Sequence, residues 1–405
     1  MKNNFYIKNK LTPIINASGF MTKIGASITR NYNIKAAGEI LPYFVNIDEL
    51  QSLASRKISR LLKTEAAVIT ASAAAGLTES VAAMMTGNNL KNIYALPNTS
   101  NLNNKVIIQN GHLTNYGAEV SQGILLSGAK ILKCGSKLSC SKTQIIDKIK
   151  KNKKEIACAM YVVSHHCSQY NSVEIASFIK ICKKYNIPVI VDAASEEYME
   201  SFFKFDIDIA IFSAHKFMGS LTAGIIAGKK KYIKNVYLQN LGIGRGMKVG
   251  KEGIYASISA IENWYKRDLK KELYNQEKII KYWINYLNKK KYHGLNYEII
   301  PDPTGNKINR LRILIDENKS GFTPQSLAYY LEKNKPSIFV RDDLIHLNHF
   351  ELDTCNLKKN EHIIVIKNLN KIINNLKNNK LDCKINLKKY KKISIKNWIN
   401  WLDEF

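Results

Sequence analysis

Short apolar runs and amphipathic stretches alternate along the middle of the chain. Ala66–Thr70, Val106–Gln109, Ile156–Ser164, Val189–Asp192, Ile209–Ser213 and Ala223–Ala227 are almost unbroken apolar runs, the pattern of strands buried on both faces. Between them, Ala73–Met85, Tyr116–Leu126, Lys142–Lys150 and Val173–Tyr185 repeat apolar residues at three- and four-residue spacing, which predicts helices packed by one face. A β-α-β succession of this kind builds a largely parallel sheet covered by helices. Past Gly250 a charged helical stretch, Ile254–Lys291, leads to a second unit. There Asn296–Pro301, Ile308–Asp316 and Ile338–Val340 read as strands, and Pro324–Lys333 and Glu361–Asn378 as helices. The expected organisation is an N-terminal arm (1–45), a large α/β domain (46–250), and a linker helix with a smaller α+β domain (251–405).

Composition narrows the function classes. A chain of 405 residues with this apolar content buries one large core or two moderate ones. The net charge of +28 would suggest a polyanion partner if the lysines formed one block, but they are spread through Lys148–Lys154, Lys229–Lys234, Lys270–Lys291 and Lys358–Lys392. That spread fits a compositional drift toward surface Lys and Asn equally well, and a nucleic-acid partner is not expected. The longest apolar stretch, Ala66–Met85, carries Glu79 inside it, which makes a poor membrane span. Met1–Lys10 lacks the apolar core of a signal peptide, so the cytoplasm is the expected location. The seven cysteines form no CxxC pair, which supports neither a disulfide framework nor a zinc site.

The chemistry concentrates where apolar strands end. Val189–Asp192 and Ile209–Ser213 each finish in polar side chains, the second continuing as Ala214-His215-Lys216. In an open α/β sheet the carboxyl ends of the strands form the ligand crevice, so Asp192, Ser213, His215 and Lys216 should converge. A partly desolvated lysine beyond a buried strand is a candidate for Schiff-base chemistry, and a nearby Asp is what a pyridine nitrogen needs to stay protonated. Ser72, Ala73, Ala74 and Gly76 open a helix after a strand, which suits either a phosphate or tight helix–sheet packing. His112, after the strand Val106–Gln109, fits a ring-stacking role or a hydrogen-bonded loop histidine. Ser164-His165-His166-Cys167 invites a metal reading, but adjacent side chains diverge on an extended chain, so a substrate or cofactor contact is preferred and no metal is expected. Gly242–Glu252 is glycine-rich and basic without a preceding strand. It therefore reads as a loop placing Arg245, Lys248 or Lys251 near an anion rather than as a dinucleotide fingerprint. Arg341 ends a strand and fits either a substrate carboxylate or an ion pair with Asp342 or Asp343.

Asp192-Ala-Ala followed by Ser213-Ala-His215-Lys216 resembles the cofactor-anchoring signature of fold type I pyridoxal-phosphate enzymes. Ile15–Gly19, Phe44–Gln51, Ser164–Cys167, Asp192–Glu197 and Gly244–Glu252 are similar to segments of the selenocysteine-synthase-like branch, most of all its D-glucosaminate-6-phosphate ammonia-lyase group. The resemblance runs from about Leu11 to beyond Arg341. It implies an aspartate-aminotransferase-like α/β fold with a mainly parallel sheet in the large domain and a smaller α+β C-terminal domain. It also implies pyridoxal 5'-phosphate as cofactor and a homodimer or higher homo-oligomer. Carried over residue by residue, Lys216 would be the Schiff-base lysine and the α-proton base, and Asp192 the partner of the pyridine nitrogen. Ser213, His215 and the Ser72–Gly76 turn would hold the phosphate, His112 would stack on the ring, Arg341 would take the substrate carboxylate, and His165 and His166 would contact substrate. Two positions depart from the group's pattern: Tyr170 stands where the group has Lys, and Ser195 where it has Ala.

The implied activity is a lyase that eliminates a β-hydroxyl and then ammonia from an amino acid or amino-sugar acid, giving a 2-oxo acid, with Arg30, Arg245 or Lys248 for a distal anion. The alternatives are a β-replacement transferase of the selenocysteine-synthase type and an aminotransferase. The first lacks the extra N-terminal tRNA-binding domain of bacterial selenocysteine synthases, because the resemblance already begins by Leu11.

Overall fold

A computed structural model describes residues 4–399. Residues 1–3 and 400–405, the extremities of the expected arm and of the small domain, lie outside the described residues. The strands are β1 (Ile14–Ala17), β2 (Ala66–Thr70), β3 (Lys105–Gln109), β4 (Lys130–Cys134), β5 (Ile156–Val162), β6 (Val189–Asp192), β7 (Ile209–Ser213), β8 (Gly224–Gly228), β9 (Leu295–Pro301), β10 (Asn309–Ile315), β11 (Ser337–Val340) and β12 (His349–Leu352). The chain divides into two units, one of residues 28–267 and one that joins 1–27 to 268–405.

The 28–267 unit carries a seven-stranded sheet in the order β2-β8-β7-β6-β5-β3-β4. The neighbours β4-β3-β5-β6-β7 run parallel, and β8 is antiparallel to both β7 and β2. Its strands are apolar on both faces because helices cover both: Ile107, Val189, Val191 and Phe212 enter one core, Ile108, Met160, Ile190 and Ile211 the other. β2 is an edge strand, and Gln51 completes it: its amide donates to the Ile69 carbonyl at 2.8 Å and accepts the Ile69 N–H at 3.0 Å. An edge that would otherwise offer free backbone groups is thereby closed by a side chain. β4 was not expected from the sequence; it is partly exposed and lacks the unbroken apolar run of its neighbours.

The other unit holds an antiparallel sheet, β12-β10-β9, and a parallel pair, β1-β11. Ile15 and Ala17 share a core there with Trp283, Leu311, Phe322 and Phe350. The organisation differs from expectation in two ways. The first 27 residues belong to the C-terminal unit because β1 pairs with β11. The expected long helix Ile254–Lys291 is two helices, Lys251–Trp264 and Leu269–Lys290, and the unit boundary falls between them. Asp268 caps the second helix by accepting the Lys271 N–H at 3.0 Å. Among the described residues no helix is long and apolar enough to cross a membrane.

Candidate active site

β6 and β7 are parallel neighbours, with Asp192 opposite Ile211, so Asp192 and Ser213 end at the same edge of the sheet. Burial holds the Asp192 carboxyl above the usual carboxylate range, while the charge of Lys216 and the Ala194 N–H, 3.2 Å from Oδ1, pull the other way. The Lys216 charge thus acts on the Asp192 carboxyl. His215 Nδ1 lies 3.0 Å from Ser213 Oγ. Burial, then the Lys216 charge, lowers its pKa, so the ring is neutral near pH 7. The Lys216 ammonium donates to Ser195 Oγ.

Ser72 is the N-cap of the Ala73–Thr86 helix. Its Oγ accepts the Ala75 N–H at 3.0 Å, and its carbonyl accepts from Thr70 Oγ1 at 2.9 Å. The small residues around it are demanded by packing. A Cβ on Gly76 would stand 2.3 Å from Ile226 Cδ1, and one on Gly224 2.4 Å from the Ser72 carbonyl oxygen. These distances support the tight-packing reading of this turn, which lies beside β8 in the sheet that leads to Lys216.

The loop after Lys216 is pinned by Asn33, which the sequence reading did not select, and by the backbone of Arg30, which it selected for another role. Asn33 is fully buried and donates from Nδ2 to the carbonyls of Met218 and Gly219 at 3.2 and 2.9 Å. The Arg30 N–H also donates to Gly219 O at 2.9 Å. Gly219 has φ +56°, and a Cβ there would stand 2.9 Å from Arg30 Cγ. Asparagine is too common in this chain for its identity to have signalled the role.

His112 is 2% exposed. Its Nδ1 accepts the Val162 N–H at 3.2 Å, its Nε2 lies 3.3 Å from Gln109 Nε2, and its ring stands edge-on to Tyr161 at 4.4 Å. An N–H aimed at Nδ1 requires a lone pair there, in keeping with burial lowering the pKa to about 4. These are the contacts of the hydrogen-bonded reading. His165 and His166 do not diverge: the chain turns at Ser164, whose Oγ accepts the His166 N–H at 3.2 Å, and the two rings lie 3.7 Å apart. The premise of an extended chain fails here because Ser164 opens a turn. Arg245 and Lys248 are exposed, whereas Lys251 donates to the carbonyls of Leu41 and Tyr43 and so fastens that turn. In the other unit, Arg341 Nε lies 3.3 Å from Asp343 and 3.7 Å from Glu351, while Asp342 accepts from Tyr390 instead.

The sequence profile of the Cys/Met metabolism PLP-dependent enzyme family matches residues 121–252. D-glucosaminate-6-phosphate ammonia lyase of Salmonella typhimurium (strain 14028s / SGSC 2262) is 30% identical over 372 residues, spanning 92% of this chain and 98% of that protein. The chain belongs to the D-glucosaminate-6-phosphate ammonia-lyase family. A solved structure of a D-glucosaminate-6-phosphate ammonia-lyase superposes with a TM-score of 0.81 at 29% identity, over 93% of this chain and 100% of that one. The chain is also similar to proteins named for other chemistry. A 5'-C-glycyluridine monooxygenase-decarboxylase of a Streptomyces species is 26% identical over 90% of each chain. An L-seryl-tRNA(Sec) selenium transferase of Alkaliphilus oremlandii (strain OhILAs) is 29% identical over 39% of this chain and 37% of that protein. This member of the lyase family is therefore a fold type I, pyridoxal-phosphate-dependent enzyme. Its residues fit the cofactor: an amine, a buried carboxyl, a serine–histidine pair and an N-capped helix start surround one end of the sheet.

Proposed function

We propose that the protein is an ammonia-lyase that takes a β-hydroxylated 2-amino acid, a phosphorylated amino-sugar acid of the D-glucosaminate 6-phosphate type, to a 2-oxo acid. The observation that carries the reading is the Lys216 ammonium seated on Ser195, three residues beyond Asp192, whose carboxyl feels the Lys216 charge, in a chain that matches such a lyase over 92% of its own length and 98% of that lyase's. Lys216, Asp192, Ser213, His215 and the Ser72–Ala74 turn would hold pyridoxal phosphate. When bound, the cofactor supplies an electron sink for the α-carbon. Lys216 Nζ is the base that takes the α-proton. Asp192 would hold a proton on the pyridine nitrogen, with the Lys216 charge favouring its ionised form. The C–O bond at the β-carbon breaks, and the departing hydroxide takes the proton now on Lys216 Nζ and leaves as water. Hydrolysis of the released unsaturated amine consumes one water and frees ammonia.

Arg30, Arg245 and Lys248 are proposed for the phosphate of the substrate, and Arg341, His165 and His166 for its carboxylate and hydroxyls. His112 is assigned to the cofactor wall, where its neutral ring supports the strand end at Val162. Self-association is supported by the apolar run Leu41–Ile47, in which Phe44 is fully exposed. Seryl-tRNA β-replacement is the weaker reading, because a selenium transferase that spans 89% of this chain is 24% identical, against 30% over 92% for the lyase. A desulfurase-type thiolate has no support from Cys355, whose thiol burial and the neighbouring Asp353 push well up.

The test is the visible spectrum of the purified protein with cofactor, before and after borohydride, joined to a screen of phosphorylated 2-amino sugar acids. A visible band trapped covalently on Lys216, with 2-oxo acid and ammonia released in equal amounts, supports the lyase. A trapped band with no release from any such acid overturns it.

A further inference from the structure

The departure at Ser195 from the lyase group's alanine acquires a meaning from its contact. Ser195 sits three residues beyond Asp192 on a turn that Asp192 itself shapes, because Oδ1 accepts the Ala194 N–H at 3.2 Å and Glu196 N–H returns to the Ala193 carbonyl at 3.1 Å. That turn brings the Ser195 hydroxyl to Lys216, whose ammonium donates to it. One short segment therefore presents a hydroxyl to the amine and carries a carboxyl that feels its charge. An alanine there would keep the turn, which is made by backbone groups and Asp192, and would lose the acceptor.

We propose that Ser195 is a positioning residue for Lys216: its hydroxyl holds the amine whenever the lysine is not covalently engaged and favours the ammonium form. The inference rests on the assignment of Lys216 as the cofactor lysine. Its chemistry follows from geometry. A hydroxyl oxygen that accepts from an ammonium stabilises the charged form, and a fixed partner reduces the rotamer freedom of a long side chain. Among the charged and titratable groups, Asp192 at the end of β6 and His215 both feel the Lys216 charge. Asp192 also favours the ammonium and is unchanged by a substitution at Ser195. Burial and the Lys216 charge both lower the His215 pKa, so its ring resists protonation more than a free imidazole does and is the same in all three proteins.

The experiment follows capture of added pyridoxal phosphate by the cofactor-free protein, read by the visible band and by borohydride trapping across pH, for the wild type, Ser195→Ala and Ser195→Thr. Capture requires the neutral amine, so its rate rises with pH through the pKa of Lys216. Removal of the acceptor is expected to move that midpoint down by about one unit, and the threonine variant, which keeps a hydroxyl, to restore it. Turnover in the alanine variant is expected to fall about tenfold with KM little changed, as loss of a hydrogen bond to a charged group predicts. An unchanged midpoint in Ser195→Ala, or a shift that Ser195→Thr shares in full, overturns the inference. If the wild type itself captures no cofactor on Lys216, it is the cofactor-lysine assignment that fails, and the two failures are told apart by that control.

Discussion

Two aspartates show how differently the two units use buried charge. Asp353, in the unit that joins 1–27 to 268–405, accepts from Arg310 Nε at 2.8 Å and from the Cys355 N–H at 2.9 Å. Arg310 spends its other arm on Asp302 at 2.7 Å. Burial works against both carboxylates, yet Arg310 and the surrounding hydrogen bonds hold them below the usual range. In the 28–267 unit Asp192 is half-buried by exposure and its carboxyl is held above that range, although the Lys216 charge pulls it down. The first arrangement is a closed ion network that fixes one geometry. The second leaves a carboxyl without an arginine to hold it ionised, the kind of perturbed group that acid–base chemistry uses. Glu79 in the same unit has the same character: it is buried in mid-helix against Gly244, and desolvation raises its pKa to about 8.

The contrast is broken most severely at Lys216. Lys216→Ala is expected to lower 2-oxo acid release by about 10³-fold or more and to abolish borohydride trapping, with the melting temperature nearly unchanged. A comparable collapse of the melting temperature would make Lys216 a structural residue. In the other unit, Arg310→Ala strands two buried carboxylates and is expected to cost about 3–5 kcal/mol in urea unfolding at pH 7. A loss below about 1 kcal/mol would mean that the network is replaceable by water.

Glu79→Gln sharpens the comparison through pH. The folded protein keeps the Glu79 proton up to about pH 8, whereas the unfolded chain releases it near 4.5. Stability tied to this group is therefore full below 4.5 and declines as pH rises to 8. Glutamine, which does not titrate, is expected to flatten that decline and to gain on the order of 3 kcal/mol at pH 8 relative to pH 4.5. Parallel stability–pH curves for the two proteins would contradict the burial argument. The smallest effect belongs to Asn33→Ala, which removes the donors to Met218 and Gly219. It should cost about 1–2 kcal/mol of stability and reduce turnover severalfold by loosening the loop that carries Lys216. Unaltered turnover would show that the loop holds its shape by other contacts.

What could be read in advance follows from how each element is buried. β5, β6 and β7 are covered on both faces, so each must be continuously apolar and each announces itself. β4 is partly exposed and has a lysine at two of its five positions, and β1 and β12 mix polar with apolar residues, so none of them leaves a run to read. The helix Asn31–Ile40 fell in the expected arm and Ile47–Leu62 at the start of the expected large domain, ahead of the first strand that was read, so no strands framed them. The break between Trp264 and Leu269 carries neither proline nor glycine, and Asp268 as an N-cap is a weak signal within a charged stretch.

The sequence alone determined that a parallel α/β sheet would end in Asp192, Ser213, His215 and Lys216, because the strand period and the hydrophobic effect leave no other place for polar residues at the close of apolar runs. Only the tertiary structure decided which distant groups complete the site. The pinning of the Lys216 loop by Asn33, the closure of the β2 edge by Gln51, the return of residues 1–27 to the C-terminal unit and the contact of Ser195 with Lys216 all join positions far apart in the chain. Those pairings are fixed by burial of complementary donors and acceptors in three dimensions, a constraint that no local pattern of residues records.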